Sequence, residues 1–207
     1  GNKGVLKTNS FGYDGKGQIR INGETNLFEI WEKLGSVECV LEELLDFKRE
    51  ISIMYFKSTD NTDGFFPISE NVHQEGILKK TIAPAILNDT IKEDLKLKTK
   101  ELSKNLNFYG VLAVELFELV NGSIVFNEIA PRPHNSFHWT IDGCDNSQFD
   151  ILVRAICGLP VKDVSSNGNW EMNNIIGNGV NNLKDIYNNQ NYLLNLYGKK
   201  NTKPGRK

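Results

Sequence analysis

Two glutamates lie inside apolar segments, and they are the residues of this chain whose type and spacing best suit chemistry. Glu115 lies within the apolar run 111–117, and Glu128 lies within the run 124–130 that precedes Pro131. A carboxylate in a buried strand is costly unless a cation compensates it. The turn at 120–123 predicts a hairpin that brings the two carboxylates together. Mg²⁺ prefers such oxygen ligands and completes its shell with water and phosphate oxygens, so the pair predicts a metal–nucleotide site. Edge-strand acids that face solvent or pair with lysine are the alternative.

A glycine-rich segment at 12–18 lies between two predicted strands, 5–7 and 18–21. The phosphate loops of P-loop and Rossmann proteins are followed by a helix, so this segment fits neither class. Between antiparallel strands it predicts a flap whose N–H groups cover phosphates. Lys7, on the entering strand, would place a cation beneath that flap. An ordinary hairpin tip is the alternative interpretation.

Three further polar residues carry weaker signals. Glu42 opens the segment 42–45, and Glu50 follows on the next predicted strand. An extended segment can hydrogen-bond an adenine edge, while a carboxylate one strand away takes the ribose hydroxyls. Surface glutamates are the alternative. His73 lies in a predicted polar loop, either as a phosphate contact or as a solvated histidine, and the sequence leaves both readings open.

The elements that must position these residues predict an α+β fold with mainly antiparallel sheets. Apolar spacing and end signals predict helices at 26–34, 88–107 and 147–157. Further strands are predicted at 38–45, 50–57, 65–68 and 75–82. An asparagine-rich C-terminal region adds two predicted strands, 172–177 and 192–197, as a small appended β unit.

Composition narrows the class of protein and its location. The 207 residues suffice for a sizeable core, and a net charge of −2 with interspersed signs predicts no nucleic-acid or membrane partner. Cys39, Cys144 and Cys157 are widely spaced, which is typical of free thiols in a reducing compartment and indicates the cytoplasm. The chain enters a predicted strand almost at once and ends in a turn sequence. We therefore expect it to be part of a longer protein.

The motifs taken together resemble one family of ligases. They are Lys7-Thr8 followed by Gly-Tyr-Asp-Gly-Lys-Gly-Gln at 12–18, the Glu42/Glu50 pair, Asn-Glu-Ile-Ala-Pro-Arg-Pro-His-Asn-Ser-Phe-His-Trp-Thr at 127–140, and a closing Tyr-Gly-Lys and Pro-Gly-Arg-Lys within 197–207. Over nearly the whole chain they resemble the ATP-dependent 5-(carboxyamino)imidazole ribonucleotide synthases, which are ATP-grasp ligases of purine biosynthesis.

The resemblance implies an ATP-grasp fold, in which two α+β subdomains grip ATP, with a small C-terminal β subdomain. The implied ATP-grasp domain is 1–158, divided into a lid subdomain at about 1–42 and a central subdomain at about 43–158, and the C-terminal subdomain is 159–207. The implied reaction uses ATP and Mg²⁺ to activate bicarbonate as carboxyphosphate, which then carboxylates 5-aminoimidazole ribonucleotide. The resemblance further implies a homodimer for the full-length protein.

The resemblance also assigns roles to individual residues. The implied metal ligands are Glu115 and Glu128, and the implied catalytic residues are Lys7 and Arg132. Lys7 would contact the ATP phosphates, segment 42–45 the adenine, and Glu50 the ribose. The implied ATP contacts are Lys7, Gly12, Tyr13, Asp14, Gly15, Lys16, Gly17, Gln18, Glu42, Glu43, Leu44, Leu45, Glu50, His73, Asn127 and Glu128. The implied ribonucleotide contacts are Tyr13, Arg132, Lys199 and Arg206.

Two departures from the family pattern stand out. Phe11 and Phe137 occupy positions that are usually glycine. The family also carries an N-terminal domain to which nothing in this sequence corresponds, so the ribonucleotide site is expected to be incomplete in this chain. Another ATP-grasp carboxylase or ligase, or an ATP-binding fragment without independent activity, are the alternatives.

Overall fold

A computed structural model describes residues 3–10 and 17–198. The first element of the fold is a small antiparallel sheet. Its strands are β1 (Gly4–Thr8), β2 (Gln18–Ile21) and β3 (Cys39–Glu43), in the order β2-β1-β3. Helix α1 (Leu27–Lys33) connects β2 to β3. Asn26 caps α1 because its side chain accepts hydrogen bonds from the first free N–H groups. The predicted apolar face of α1 is present, but no residue of the helix is fully buried.

The second sheet is larger and carries the two glutamates. Its described strands run in the order β10-β7-β6-β4-β8-β9, with β5 beside β4, and every pairing is antiparallel. Their bounds are β4 (Phe47–Lys57), β5 (Asp63–Phe65), β6 (Ser69–Gln74), β7 (Ile77–Ala83), β8 (Gly110–Leu119), β9 (Ile124–Ala130) and β10 (Trp170–Asn173).

Helices cover both faces of this sheet and divide the core into two clusters. The remaining α-helices of the described chain are α2 (Asp89–Asn105), α3 (Thr140–Gly143), α4 (Gln148–Ile156) and α5 (Leu183–Asn188). Leu95 of α2 packs against Ile51 and Ile53 of β4, whereas Ile151 of α4 packs in the cluster that contains Met54 and Phe56. Successive residues of a strand face opposite sides, so β4 contributes to both clusters. The face toward α4 continues along the strand to Ser52 and Glu50.

The structure confirms the α+β class and the main predicted elements. The hairpin that carries the glutamates is formed by β8 and β9, and the helices predicted at 88–107 and 147–157 are α2 and α4. Six consecutive buried residues in β4 confirm that this strand is covered on both faces. None of the helices in the described ranges is long and apolar enough to cross a membrane.

Three local predictions are wrong. The strand predicted at 65–68 is absent, since β5 (Asp63–Phe65) ends at the first of these residues and 66–68 form no strand. His73 lies in strand β6, not in a polar loop, because the polar side chains of Ser69 and Asn71 are hydrogen-bonded within the structure and the backbone pairs on both sides. The segment 192–197 forms no strand; the region before it folds into a 3₁₀ turn (Gly177–Asn182) and α5. The strand predicted at 172–177 is β10, which joins the large sheet beside β7. The division at 158 stays a prediction.

Candidate functional site

The two glutamates of the β8–β9 hairpin lie directly opposite each other. Glu115 and Glu128 are cross-strand partners, with Glu115 only 8% exposed and Glu128 exposed. Burial raises the pKa of Glu115 to about 7, and the charges of Glu128 and Glu50 act in the same direction against the opposing influence of His73. The Glu115 carboxyl is therefore close to half protonated at neutral pH when no cation is bound.

His134 completes a cluster of three potential metal ligands. Its Nδ1 lies 3.6 Å from Oε1 of Glu115. One ligand atom from each of Glu115, Glu128 and His134 lies within 4.8 Å of the other two. Within the described chain, Glu115 Oε1 is buried without a hydrogen-bond partner. Two ligands of one Mg²⁺ lie up to about 4.2 Å apart when each bond is about 2.1 Å. The ligand atoms of the cluster, which lie within 4.8 Å of one another, must therefore move slightly closer together to hold one Mg²⁺ ion.

A β-bulge beside the pair sets the direction of the neighbouring side chain. Glu115 pairs with Glu128 and Leu116 pairs with Phe126, so Asn127 is the extra residue of β9. Bulges redirect side chains and are common next to active sites. Asn127 lies at this bulge next to Glu128 in the chain, and its contact with the nucleotide stays a prediction.

Buried polar side chains form the floor beneath Glu115. Ser52 is the cross-strand partner of Glu115 on β4 and hydrogen-bonds to its carboxylate. Asn71 Nδ2 donates to Ser52 Oγ over 2.6 Å, and Thr81 Oγ1 donates to Asn71 Oδ1 over 3.0 Å. Ser52, Asn71 and Thr81 are all buried. This chain of hydrogen bonds ties Glu115 to three neighbouring strands of the sheet.

A second acid–histidine pair adjoins the glutamates. Glu50 Oε2 forms an ion pair with Nδ1 of His73 across β4 and β6. Burial acts to lower the pKa of His73, but the hydrogen bond and charge of Glu50 and the charges of Glu115 and Glu128 outweigh it, so the pKa is raised. The structure thus brings together two residues, Glu50 and His73, whose roles the sequence left open.

Lys7 and Glu42 meet in the small sheet. Lys7 Nζ lies 2.6 Å from Oε2 of Glu42, and both side chains are partly exposed. Glu42 and Glu43 end β3, and the N–H of Leu44 donates to the carbonyl of Lys3 over 3.1 Å. Lys7 also pairs in register with Gln18 across β1 and β2. The predicted phosphate cation therefore lies on the central strand of the small sheet, between β2 and the strand β3 that carries Glu42.

A comparison with family models identifies the fold family of the chain. The model of the ATP-grasp domain matches residues 1–149. The chain belongs to the ATP-grasp family.

Two relatives of this ATP-grasp chain are named as carboxyaminoimidazole synthases. It is 36% identical over 209 residues to the N5-carboxyaminoimidazole ribonucleotide synthase of Brucella melitensis, covering 100% of this chain and 58% of that protein. The solved N5-carboxyaminoimidazole synthetase of Staphylococcus aureus complexed with ADP matches with a TM-score of 0.92 and 36% identity, over 100% of this chain and 55% of that one.

A fungal structure extends the likeness to a complex with two small molecules. The N5-carboxyaminoimidazole synthase of Aspergillus clavatus, in complex with ADP and 5-aminoimidazole ribonucleotide, matches with a TM-score of 0.81 and 31% identity. That alignment covers 99% of this chain and 55% of the fungal one. The ATP-grasp chain therefore spans about half the length of the proteins it matches.

Several predicted ATP-grasp residues fall outside the described part of the chain. They are Gly12, Tyr13, Asp14, Gly15 and Lys16 in the glycine-rich loop, Phe11 before it, and Lys199 and Arg206 near the end. Gly17 is described at the close of the loop, where its carbonyl accepts from the N–H of Thr8 over 2.8 Å. Arg132 is exposed, and its guanidinium donates to the carbonyl of Pro133 over 3.1 Å.

The sequence predicts no role for His134, although it places this histidine in the turn that follows Glu128. The available signal was its place in the turn that follows β9, the strand that carries Glu128. Its partners were not visible in the sequence: Nδ1 lies 2.8 Å from Ser136 Oγ as well as near Glu115. A histidine becomes a candidate ligand only when the turn is seen to fold back over β8.

Proposed function

We propose that this chain is the ATP-grasp part of a 5-(carboxyamino)imidazole ribonucleotide synthase. The full protein would use ATP to carboxylate 5-aminoimidazole ribonucleotide with bicarbonate, through carboxyphosphate, and release ADP and phosphate. The identity of 36% to the Brucella melitensis synthase along the whole chain supports this assignment. The observation that carries it is the buried Glu115 directly opposite Glu128: Glu115 Oε1 has no hydrogen-bond partner in the described chain and lies 3.6 Å from His134 Nδ1.

Mg²⁺ would be held by Glu115 and Glu128, with Asn127 and His134 next to them. The two carboxylates are the hard oxygen ligands this ion prefers. When bound, the ion neutralises phosphate charge during transfer of the terminal phosphoryl group. The remaining task of the protein is to align the reactants, since phosphoryl transfer needs positioning and charge neutralisation more than covalent help.

The nucleotide would lie between polar residues of the small sheet and polar residues of the large sheet. Glu50 would take the ribose hydroxyls, and His73, which pairs with Glu50, would lie near the nucleotide. Lys7 would leave Glu42 to meet the phosphates, since a full phosphate charge is a stronger partner than one exposed carboxylate. Segment 42–45 would bind the adenine through backbone groups, and the loop at 12–18 would close over the phosphates and keep water from carboxyphosphate.

The ribonucleotide contacts follow from the resemblance. Arg132 would orient the reacting groups, Tyr13 would contact the substrate, and Lys199 and Arg206 suit the 5′-phosphate as charged donors. We place the full protein in the cytoplasm as a homodimer, with subdomains at 1–42, 43–158 and 159–207.

A second candidate function is ATP binding without turnover by this chain alone. Its support is the alignment, which covers only 58% of the Brucella melitensis relative. In that case the remaining substrate contacts come from elsewhere in the full protein.

Calorimetric titration with Mg·ATP tests the proposal. The wild-type chain should bind, and the Glu115→Gln/Glu128→Gln double variant should lose most of the affinity, since both carboxylate ligands become neutral amides. Glu101→Gln, an exposed acid on α2, is the matched control and should bind as the wild type does. Equal binding by wild type and double variant would remove the metal assignment. Formation of ADP that depends on both bicarbonate and aminoimidazole ribonucleotide would separate the synthase from an ATP-binding fragment.

A further inference from the structure

Gln148 is a neutral amide that is completely buried at the start of α4. It is 0% exposed and is the first residue of the helix. A buried amide destabilises a fold unless its donor and acceptor groups are both satisfied. Its side chain faces a turn of the main chain, and the hydrogen bonds that it makes there indicate its role.

Both ends of the Gln148 amide bind the main chain of His134. The Oε1 atom accepts from the His134 N–H over 2.8 Å, and Nε2 donates to the His134 carbonyl over 2.9 Å. This two-point contact copies the pairing that a neighbouring strand would give to one residue. His134 is held in an extended conformation, with φ −122° and ψ 148°.

A second side chain converges on the same carbonyl. His138 Nδ1 lies 3.0 Å from the His134 carbonyl oxygen and 2.8 Å from Nε2 of Gln148. The same carbonyl also accepts from the N–H of Phe137 over 3.0 Å. With its proton on Nδ1, neutral His138 donates to this carbonyl; with the proton on Nε2, its Nδ1 accepts from the second N–H of Gln148 Nε2 instead. We call Gln148 and His138, with the His134 main chain between them, the His134 clamp.

The clamp connects to the strand that carries Glu115. Ser147 caps α4 and exchanges hydrogen bonds with Asp150 in a capping box, which fixes the first turn of the helix. Ile151, one turn further, is 0% exposed and belongs to the core cluster that contains Val111 and Ala113 of β8. Helix α4 is therefore fixed against β8 by core packing. Gln148, at the start of α4, hydrogen-bonds the turn that holds His134 to this fixed helix.

We propose that Gln148 is a positioning residue that holds the His134 main chain, so that the His134 ring stays against the Glu115/Glu128 pair. The inference rests on the proposed function, since it assumes that this cluster binds a divalent cation with nucleotide. The His134 carbonyl also accepts from the N–H of Phe137, and the His134 ring contacts Ser136 Oγ, but both partners lie in the same turn, whereas Gln148 holds His134 from a separate helix. Without the clamp, the imidazole loses its fixed distance from Glu115.

The test compares Gln148→Met, which has a similar length but no hydrogen-bonding amide, with Val153→Ala at an exposed position of the same helix. The first readout is hydrogen exchange of the His134 amide. The second is Mn²⁺ affinity in saturating ADP, measured from the electron paramagnetic resonance of free Mn²⁺. Gln148→Met should speed exchange at His134 at least about tenfold and weaken Mn²⁺ binding about fivefold. Val153→Ala, at an exposed position of α4 that takes no part in the clamp, should change neither by more than about twofold.

The outcomes separate this inference from the function on which it rests. A wild-type chain that fails to bind Mn²⁺ with ADP contradicts the proposed function. A wild-type chain that binds, together with a Gln148→Met variant of unchanged Mn²⁺ affinity, overturns the positioning role, even where exchange at His134 becomes faster. Should Gln148→Met fail to fold, Gln148→Asn keeps a polar side chain that is too short to reach both groups of His134, and the same two readouts apply to it.

Discussion

The raised pKa of Glu115 predicts a specific change in stability with pH, which Glu115→Gln should remove. In the metal-free protein, burial raises the Glu115 pKa from its ordinary 4.5 to about 7. Between these values the unfolded chain releases the proton while the folded chain retains it, so unfolding becomes easier as the pH rises. Each pH unit corresponds to about 1.4 kcal/mol, so the interval corresponds to about 3 kcal/mol of stability, fully lost above pH 7.

Urea unfolding in EDTA, from pH 4.5 to pH 8, measures this effect. The free energy of unfolding of Glu115→Gln, minus that of the wild type, should grow by about 3 kcal/mol across the range, because the amide carries no charge to bury. Glu101→Gln, on the exposed surface of α2, should give a difference that stays within about 0.5 kcal/mol at every pH. A flat difference for Glu115→Gln would refute the claim that a desolvated carboxylate occupies β8.

Two further changes test the floor of the site and the substrate assignment. Asn71→Ala should lower the free energy of unfolding by about 1–3 kcal/mol, because Ser52 and Thr81 each lose a buried partner. Chemical denaturation measures this loss, and a loss below about 0.5 kcal/mol would show that the network contributes nothing to stability. In the full-length protein, Arg206→Ala should raise KM for aminoimidazole ribonucleotide about tenfold or more, with KM for ATP nearly unchanged, since one charged hydrogen bond contributes about 1.5–3 kcal/mol. Steady-state kinetics with each substrate varied would decide it, and a selective loss of ATP affinity would move Arg206 to the nucleotide site.

The glutamate hairpin was predictable because its signals are local. Two apolar runs around an Asn-Gly turn predict antiparallel strands, and their spacing alone brings Glu115 near Glu128. The bulge at Asn127 is what places the two carboxylates directly opposite each other. That detail depends on backbone geometry, which side-chain patterning does not specify.

The errors and omissions arise where a partner distant in sequence decides the outcome. The polar segment Ser69–Gln74 looks like a loop until Ser52 and Thr81 are seen to satisfy Asn71 from neighbouring strands. Gln148 offered only its position after a helix cap, because its partner His134 is fourteen residues away along the chain. Long-range hydrogen bonds of this kind have no periodic signature, so patterning does not reveal them.

The electrostatics of the site favour a cation at its centre. Glu50, Glu115 and Glu128 place three carboxylates around one patch of the sheet, and each raises the pKa of a neighbour in it. In the metal-free state, bound protons compensate the negative charge of the carboxylates. The raised pKa values favour one proton on the Glu115 carboxyl and one on His73. A divalent cation between the carboxylates would supply the positive charge instead and would lower both pKa values. Metal binding should therefore release protons, which links the raised pKa values of Glu115 and His73 to the same feature, acids gathered on one patch of the sheet where no lysine or arginine of the described chain forms a salt bridge with Glu115.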